Sequence, residues 1–305
     1  MIKPLLAVLT LTLTLSPMAQ AEELQVVEVA SNTYAIVGPL TDRSPENYGN
    51  NATFGFVVSD PGVLLIDSGG SWQGAERIEV AIKTVTDKPV VKVINTGGQD
   101  HRWFGNDYFA QQGAELISSV TTQADQKARE AQQVQRITNL IGDAYQGTNP
   151  TYANTLIETE SAITLGNRSV QFIPVGHTHT PGENVVWLPE FSVLYTGDTV
   201  YVDRMLGVAP QSQHRTWIEA FEVIESLDPK VIVPGHGAPT TLEKAKADTL
   251  NYLRFLREKV GEMIEDGGDM QSLSSIDQSA FSYLEVYEEI HGRNALRVFE
   301  EMEWE

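Results

Sequence analysis

Three times along this 305-residue chain an apolar run stops at a glycine flanked by a side chain that can bind a metal or a proton. The runs are Val63-Leu64-Leu65-Ile66 before Asp67-Ser68-Gly69, Val193-Leu194-Tyr195 before Thr196-Gly197-Asp198, and Val231-Ile232-Val233 before Pro234-Gly235-His236-Gly237. Short uninterrupted runs rich in branched residues read as strands buried on both faces. Binding and catalytic groups gather on the loops just past strand ends. The pattern therefore demands a sheet-based architecture with its chemistry at the ends of the strands.

The rest of the chain supports that reading. Residues 25–37 read as one strand, and residues 54–59 and 63–67 as two joined by a turn at Asp60-Pro61-Gly62. Residues 162–165 and 169–174 read as a hairpin turning at Gly166-Asn167. Residues 90–95, 115–118 and 185–188 are further short strands. Helical spacing covers residues 75–86, 122–141, 216–227, 242–265 and 283–303, and a helical stretch opens at residues 106–112. Residues 38–51, rich in Gly, Pro, Asn and Asp, form a loop. Strands, a helix, strands and a helix follow one another twice, which implies two packed sheets with helices outside. No linker divides the first 240 or so residues, and no period repeats.

The N-terminus reads as an export signal. Lys3 starts it, an apolar run follows, and Ala19-Gln20-Ala21 offers small residues for cleavage after Ala21. The run is short for a membrane span, so the expected location is periplasmic or secreted, with no anchor after cleavage. The expected domains are a signal peptide at 1–21, one α/β domain at 22–249 and a helical extension at 250–305 packed on the same body. With no cysteine, the fold has no disulfides, and a metal site must use His, Asp and Glu. The formal charge is −20. Such a surface repels nucleic acid and anionic lipid, which leaves a small-molecule substrate as the expected partner. The charge does not predict an oligomeric state.

Four segments together resemble the metallo-β-lactamase-fold hydrolases: the strand ending in Asp67-Ser68-Gly69, Gly176-His177-Thr178-His179-Thr180-Pro181-Gly182, Thr196-Gly197-Asp198, and Pro234-Gly235-His236-Gly237. The resemblance covers roughly residues 25–241. It implies a four-layer αββα sandwich, with His179, Asp198 and His236 as metal ligands. It also implies hydrolysis of an ester, thioester, lactone or amide by a metal-activated water.

The chain departs from that family where the family has its leading motif, His-x-His-x-Asp-His. After Asn95-Thr96 comes Gly97-Gly98-Gln99-Asp100-His101-Arg102. A gapless register puts Gly97 and Gln99 at the first two histidines, His101 at the Asp and Arg102 at the last His, and it matches both flanks. A shifted register instead aligns Asp100-His101 with the family's Asp-His. In either register the first metal position loses two histidines, because glycine offers no ligand and glutamine is a poor one for zinc. The second position keeps His101, with or without Asp100, together with Asp198 and His236. The expectation is one Zn²⁺ per chain, with Asp100 or Asp198 orienting the water and taking its proton.

The sequence allows plainer roles as well. Asp100 suits a helix N-cap, His101 a histidine held in a metal-free loop, and Asp67 an acceptor for loop N–H groups. His177, if the segment is extended, faces the same way as His179. With Arg102, and with Tyr48 and Asn50 of the 38–51 loop, it completes the expected substrate contacts. Two other functions remain open: a binding or accessory protein that kept the fold without catalysis, and an enzyme with different chemistry in the same pocket.

Overall fold

The computed structural model describes residues 23–303 and 305, so the expected signal segment lies outside the described residues. Two sheets form the centre. The first has seven strands in chain order: β1 Gln25–Ala30, β2 Thr33–Val37, β3 Thr53–Ser59, β4 Gly62–Ile66, β5 Val90–Ile94, β6 Glu115–Ser119 and β7 Thr155–Ile157. It is antiparallel from β1 to β4 and parallel from β4 to β7. The second sheet is ordered β12-β11-β10-β9-β8, from β8 Ser161–Leu165, β9 Arg168–Gly176, β10 Glu183–Leu188, β11 Val193–Tyr195 and β12 Val231–Val233.

The helices are α1 Trp72–Lys83, α2 Asp100–Trp103, α3 Asn106–Gln111, α4 Val120–Ile141, α5 His214–Ser226, α6 Leu242–Ala245, α7 Asn251–Glu265 and α8 Tyr287–Met302. Residue alternation shows how the layers stack. In β4, Val63 and Leu65 join Ala75 and Ile78 of α1 on the outside, while Leu64 and Ile66 face the other sheet. In β10, Val186 and Leu188 face inward, while Val185 and Trp187 pack outward with Trp217 and Phe221 of α5. The result is the expected αββα sandwich. Leu253, Leu256 and Val260 of α7 and Val298 and Phe299 of α8 join that second outer layer.

At some points the elements differ from the sequence reading. Residues 25–37 form a hairpin, because Asn32 adopts a left-handed φ of 56°, which short polar side chains tolerate. The long helix at 242–265 contains a π segment at Lys246–Leu250. The last helix starts late, at Tyr287, behind Val286 with φ 58°. That angle is strained for a β-branched residue. β7 has only three residues, too few to show a period of two.

The sheets meet closely beneath the site. Gly55 of β3 lies against the Tyr195 ring, and a Cβ there would come within 2.0 Å of that ring. The Tyr195 hydroxyl reaches across to donate to Tyr34 O at 3.0 Å. Thr53 joins β3 to the loop after β12, with its N donating to Gly235 O and its hydroxyl to Gly237 O. Among the described residues no helix is long and apolar enough to cross a membrane.

Candidate metal centre

The strand ends named by the sequence come together. The loop after β4 brings Asp67, α2 brings His101 and Arg102, the turn after β11 brings Asp198, and the loop after β12 brings His236. His101, Asp198 and His236 each offer one ligand atom, and the three atoms lie within 4.8 Å of one another. His101 Nε2 is 3.0 Å from Asp198 Oδ2, and His236 Nε2 is 3.2 Å from Asp198 Oδ1. The two rings pack edge to face, and Tyr201 stacks on His236 at 4.5 Å.

Burial sets the protonation of this group. It pushes His101 down to about 3 against the pull of Asp198, and it holds His236 well below its ordinary value. Both imidazoles are therefore neutral at pH 7, as metal ligands must be. Burial also opposes ionisation of Asp198, but Arg102, and after it His101, outweigh that effect and hold its carboxyl well below the usual range.

Arg102 is a buried brace. It is fully enclosed, and its Nη1 donates to Asp67 Oδ2 at 3.0 Å and to Thr53 O at 2.9 Å. Its Nη2 donates to Asp198 Oδ1 at 2.6 Å and to Gly235 O at 2.9 Å. A planar fork is suited to bridging two carboxylates in this way. With both Nη atoms committed to protein groups and the whole side chain enclosed, Arg102 is not the substrate contact expected from the sequence. Asp67 accepts from Thr96 N and the Thr96 hydroxyl, and burial raises its carboxyl to about 6 despite Arg102.

Gly97 leaves space that another residue fills. A Cβ there would meet Glu183 Oε1 at 3.0 Å. Glu183 is buried and accepts from the hydroxyls of Thr178, Thr180 and Thr199 and from Thr180 N. Burial, and then Asp198, raise its carboxyl to about 8. At Gly98 the corresponding space is taken by Asp125, which is paired with Arg129. Gln99 lies at the long limit of hydrogen bonding, 3.5 Å from Asp100 Oδ1 and from Gln211 Nε2. Among the described residues, therefore, no ligand set for a first metal position forms there.

The remaining expected residues fall around this centre. His179 is buried but outside the three-residue cluster; its Nδ1 meets Gly207 O at 3.0 Å. Burial pushes it down to about 4. His177 is held by Gln211 O at 2.6 Å and is not in the cluster either. Asp100 is engaged by Arg43 at 2.5 Å and by His101 N, and its Oδ2 is buried without a partner. It is thus a neighbour of the cluster and not one of its ligands. Tyr48 and Asn50 are corrected by their contacts. The Tyr48 ring lies under Arg77 of α1, while the Asn50 side chain spans Gly70 N and Gly74 O and pins the start of α1. The 38–51 loop reaches the site through a different residue, Arg43, whose Nη2 is 2.6 Å from His101 Nδ1. Because a guanidinium only donates, Nδ1 accepts here.

The donors are of the type one divalent cation takes: two neutral imidazoles and one ionised carboxylate. Behind His101, Asp100 Oδ1 lies 3.7 Å from Nδ1, beyond hydrogen-bond reach, and Arg43 Nη2 bridges the two by donating to both.

The fold and the site define a class: αββα sandwiches with a candidate metal site at the strand ends. The sequence profile of the metallo-beta-lactamase superfamily matches residues 48–236, and the chain belongs to that superfamily. A metallo-beta-lactamase from Pontibacter korlensis is similar, with a TM-score of 0.62 and 21% identity, covering 76% of this chain and 99% of that one. The sec-alkylsulfatase Pisa1 from Pseudomonas sp. has a TM-score of 0.71 and 16% identity, covering 91% of this chain and 50% of its own. The 2,4-dinitroanisole O-demethylase subunit alpha of Nocardioides sp. (strain JS1661) is 24% identical over 182 residues, 59% of this chain. This chain spans about half the length of that relative, 51%.

Proposed function

We propose that this chain is a metal-dependent hydrolase with a single Zn²⁺ held by His101, Asp198 and His236, acting on an ester, thioester, lactone or amide of a small molecule. The observation that supports this reading is the convergence of three metal-competent atoms from three separate strand ends. When bound, the ion supplies Lewis acidity and lowers the pKa of a bound water to about 7.

The protein's own residues do the rest. Arg102 keeps Asp198 ionised and fixed in orientation. His179, neutral and with Nδ1 held by Gly207 O, keeps Nε2 as an acceptor at the edge of the site. Export through the segment at 1–21 to the periplasm or beyond belongs to the same proposal, and acidity keeps the exported chain soluble.

The test is elemental analysis of the mature protein under zinc-buffered conditions, beside an ester, thioester, lactone and amide panel before and after chelation. One equivalent of metal, lost in His236→Ala, supports the proposal. A second reading has its own observation: Arg102 already pairs with both Asp67 and Asp198, as a purely structural brace would. Absence of metal at excess zinc would favour a binding or accessory protein built on that brace.

A further inference from the structure

Although the chain carries 41 acidic residues against 21 basic ones, arginines with unused donors gather beside the metal centre. Arg43 is the inner one. Its side chain is only 7% exposed. Nη2 serves Asp100 and His101, while Nε is buried with no partner. A guanidinium has five N–H donors in a rigid fork, and leaving them unpaired in a buried place is costly.

Two more arginines approach from other elements. α4 packs over the Gly97–Asp100 segment, with Gln126 and Gln133 donating to Gly97 O and Gly98 O. Arg136, one turn beyond Gln133 on α4, is exposed and makes no hydrogen bond or ion pair with any described residue. The charge of Arg43 lowers its pKa, Arg293 adds to the effect, and Asp100 and Asp42 oppose it. Arg293 lies on α8, beside Asn294, whose side chain holds Leu206 O and Val208 N and so brackets the Gly207 carbonyl that meets His179. Arg293 donates only to Glu289 O, a backbone group of its own helix.

We propose that Arg43, Arg136 and Arg293 form an anion-binding subsite beside the His101, Asp198 and His236 centre, and that the substrate carries an oxyanion group there. The shared chemistry is a sulfate, phosphate or carboxylate, which a guanidinium recognises by paired N–H donors. An anion there pairs with the free guanidinium donors of Arg136 and Arg293 and relieves a repulsion from Arg43 that Asp100 and Asp42 offset only in part, since the net shift of Arg136 is still downward. This inference rests on the hydrolase reading, for which it names the substrate class.

The test is calorimetric titration of inorganic phosphate, sulfate and acetate, in separate arms, into the full mature chain, both metal-free and zinc-loaded. At least one of the three should bind in both forms, and the strongest arm identifies the oxyanion class. Arg136→Gln should weaken binding about tenfold or more, roughly the worth of one charge-assisted hydrogen bond, while Lys83→Gln on α1 should leave it unchanged. Arg43→Gln should abolish binding with the circular dichroism spectrum intact; a misfolded Arg43→Gln leaves the decision to Arg136→Gln, whose side chain braces nothing. Absence of binding in both forms overturns the proposal. So does binding that needs zinc and ignores Arg136→Gln, since the anion would then sit on the metal. The metal-free arm requires neither an ion nor turnover, so its result is separate from the metal count that tests the hydrolase reading.

Discussion

Arg102→Gln is the most informative single perturbation of this fold. In the native protein the guanidinium is fully enclosed between Asp67 at 3.0 Å and Asp198 at 2.6 Å, with Thr53 O and Gly235 O as further acceptors. Glutamine keeps a donor but removes the charge and half of the fork. Removing one partner of a buried ion pair costs about 3–5 kcal/mol, because the remaining charge is left uncompensated. Here two carboxylates lose the same partner, so the loss should reach at least that range in the metal-free protein. For a chain of this size it corresponds to a fall in Tm of roughly 6–20 °C. Arg102→Lys, which keeps the charge but cannot bridge both carboxylates, should fall between the two. The assay is urea denaturation followed by tryptophan fluorescence, with chelator present so that no ion compensates. A loss under about 1 kcal/mol would refute the brace, since surface changes commonly fall in that range.

Other measurements follow from the same geometry. Gly55→Ala should cost about 1–3 kcal/mol or more by overpacking, read as a lowered urea midpoint, because its Cβ would overlap the Tyr195 ring of the facing sheet; an unchanged midpoint would show that the sheets can separate there. Glu183 is raised from 4.5 to about 8, so the folded state holds a proton that the unfolded state releases. Its contribution is complete below about pH 4.5 and is lost as pH rises through about 8. Glu183→Gln should flatten that decline between pH 5 and 8 in chelated protein, and an unaltered slope would place the proton elsewhere. Gly97→Ala, set 3.0 Å from Glu183 Oε1, should destabilise, and its cost should shrink in a Glu183→Ala background; strict additivity of the two would mean that they do not share the space.

Much of this architecture could be read from the sequence, for a physical reason. A strand buried on both faces must be continuously apolar, and a site at its end must interrupt that run with a turn residue and a polar one, as at Asp67, Asp198 and His236. His101 could be placed from its flanks, Asn95-Thr96 and Gly105-Asn106. Arg102 was misjudged because sequence shows only that a ligand position has changed, not that the new side chain turns inward to two carboxylates. Arg43 lies 58 positions from His101, in a polar loop with no periodicity, and no local pattern announces such a contact. Glu183 follows a glycine and opens β10; only its hydrogen bonds with three threonines reveal a buried carboxyl. Tyr48 and Asn50 looked like ligand contacts because the loop is long and polar, yet both side chains secure α1.

The filling of the space beside Gly97 and Gly98 has a consequence for how such chains change over time. The side chains of Glu183 and Asp125 stand where larger residues at 97 and 98 would project, so restoring histidine at 97 alone would meet a filled cavity. A return path needs the filler to shrink first or together with it, which makes the departure hard to reverse by single steps. It also yields a rule for reading related sequences. A chain with glycines at these two positions should carry a matching pair of acids, one opening the strand after Thr-Pro-Gly and one in the first turns of the long helix. Where the first histidine is present, the place that Glu183 holds should carry something smaller.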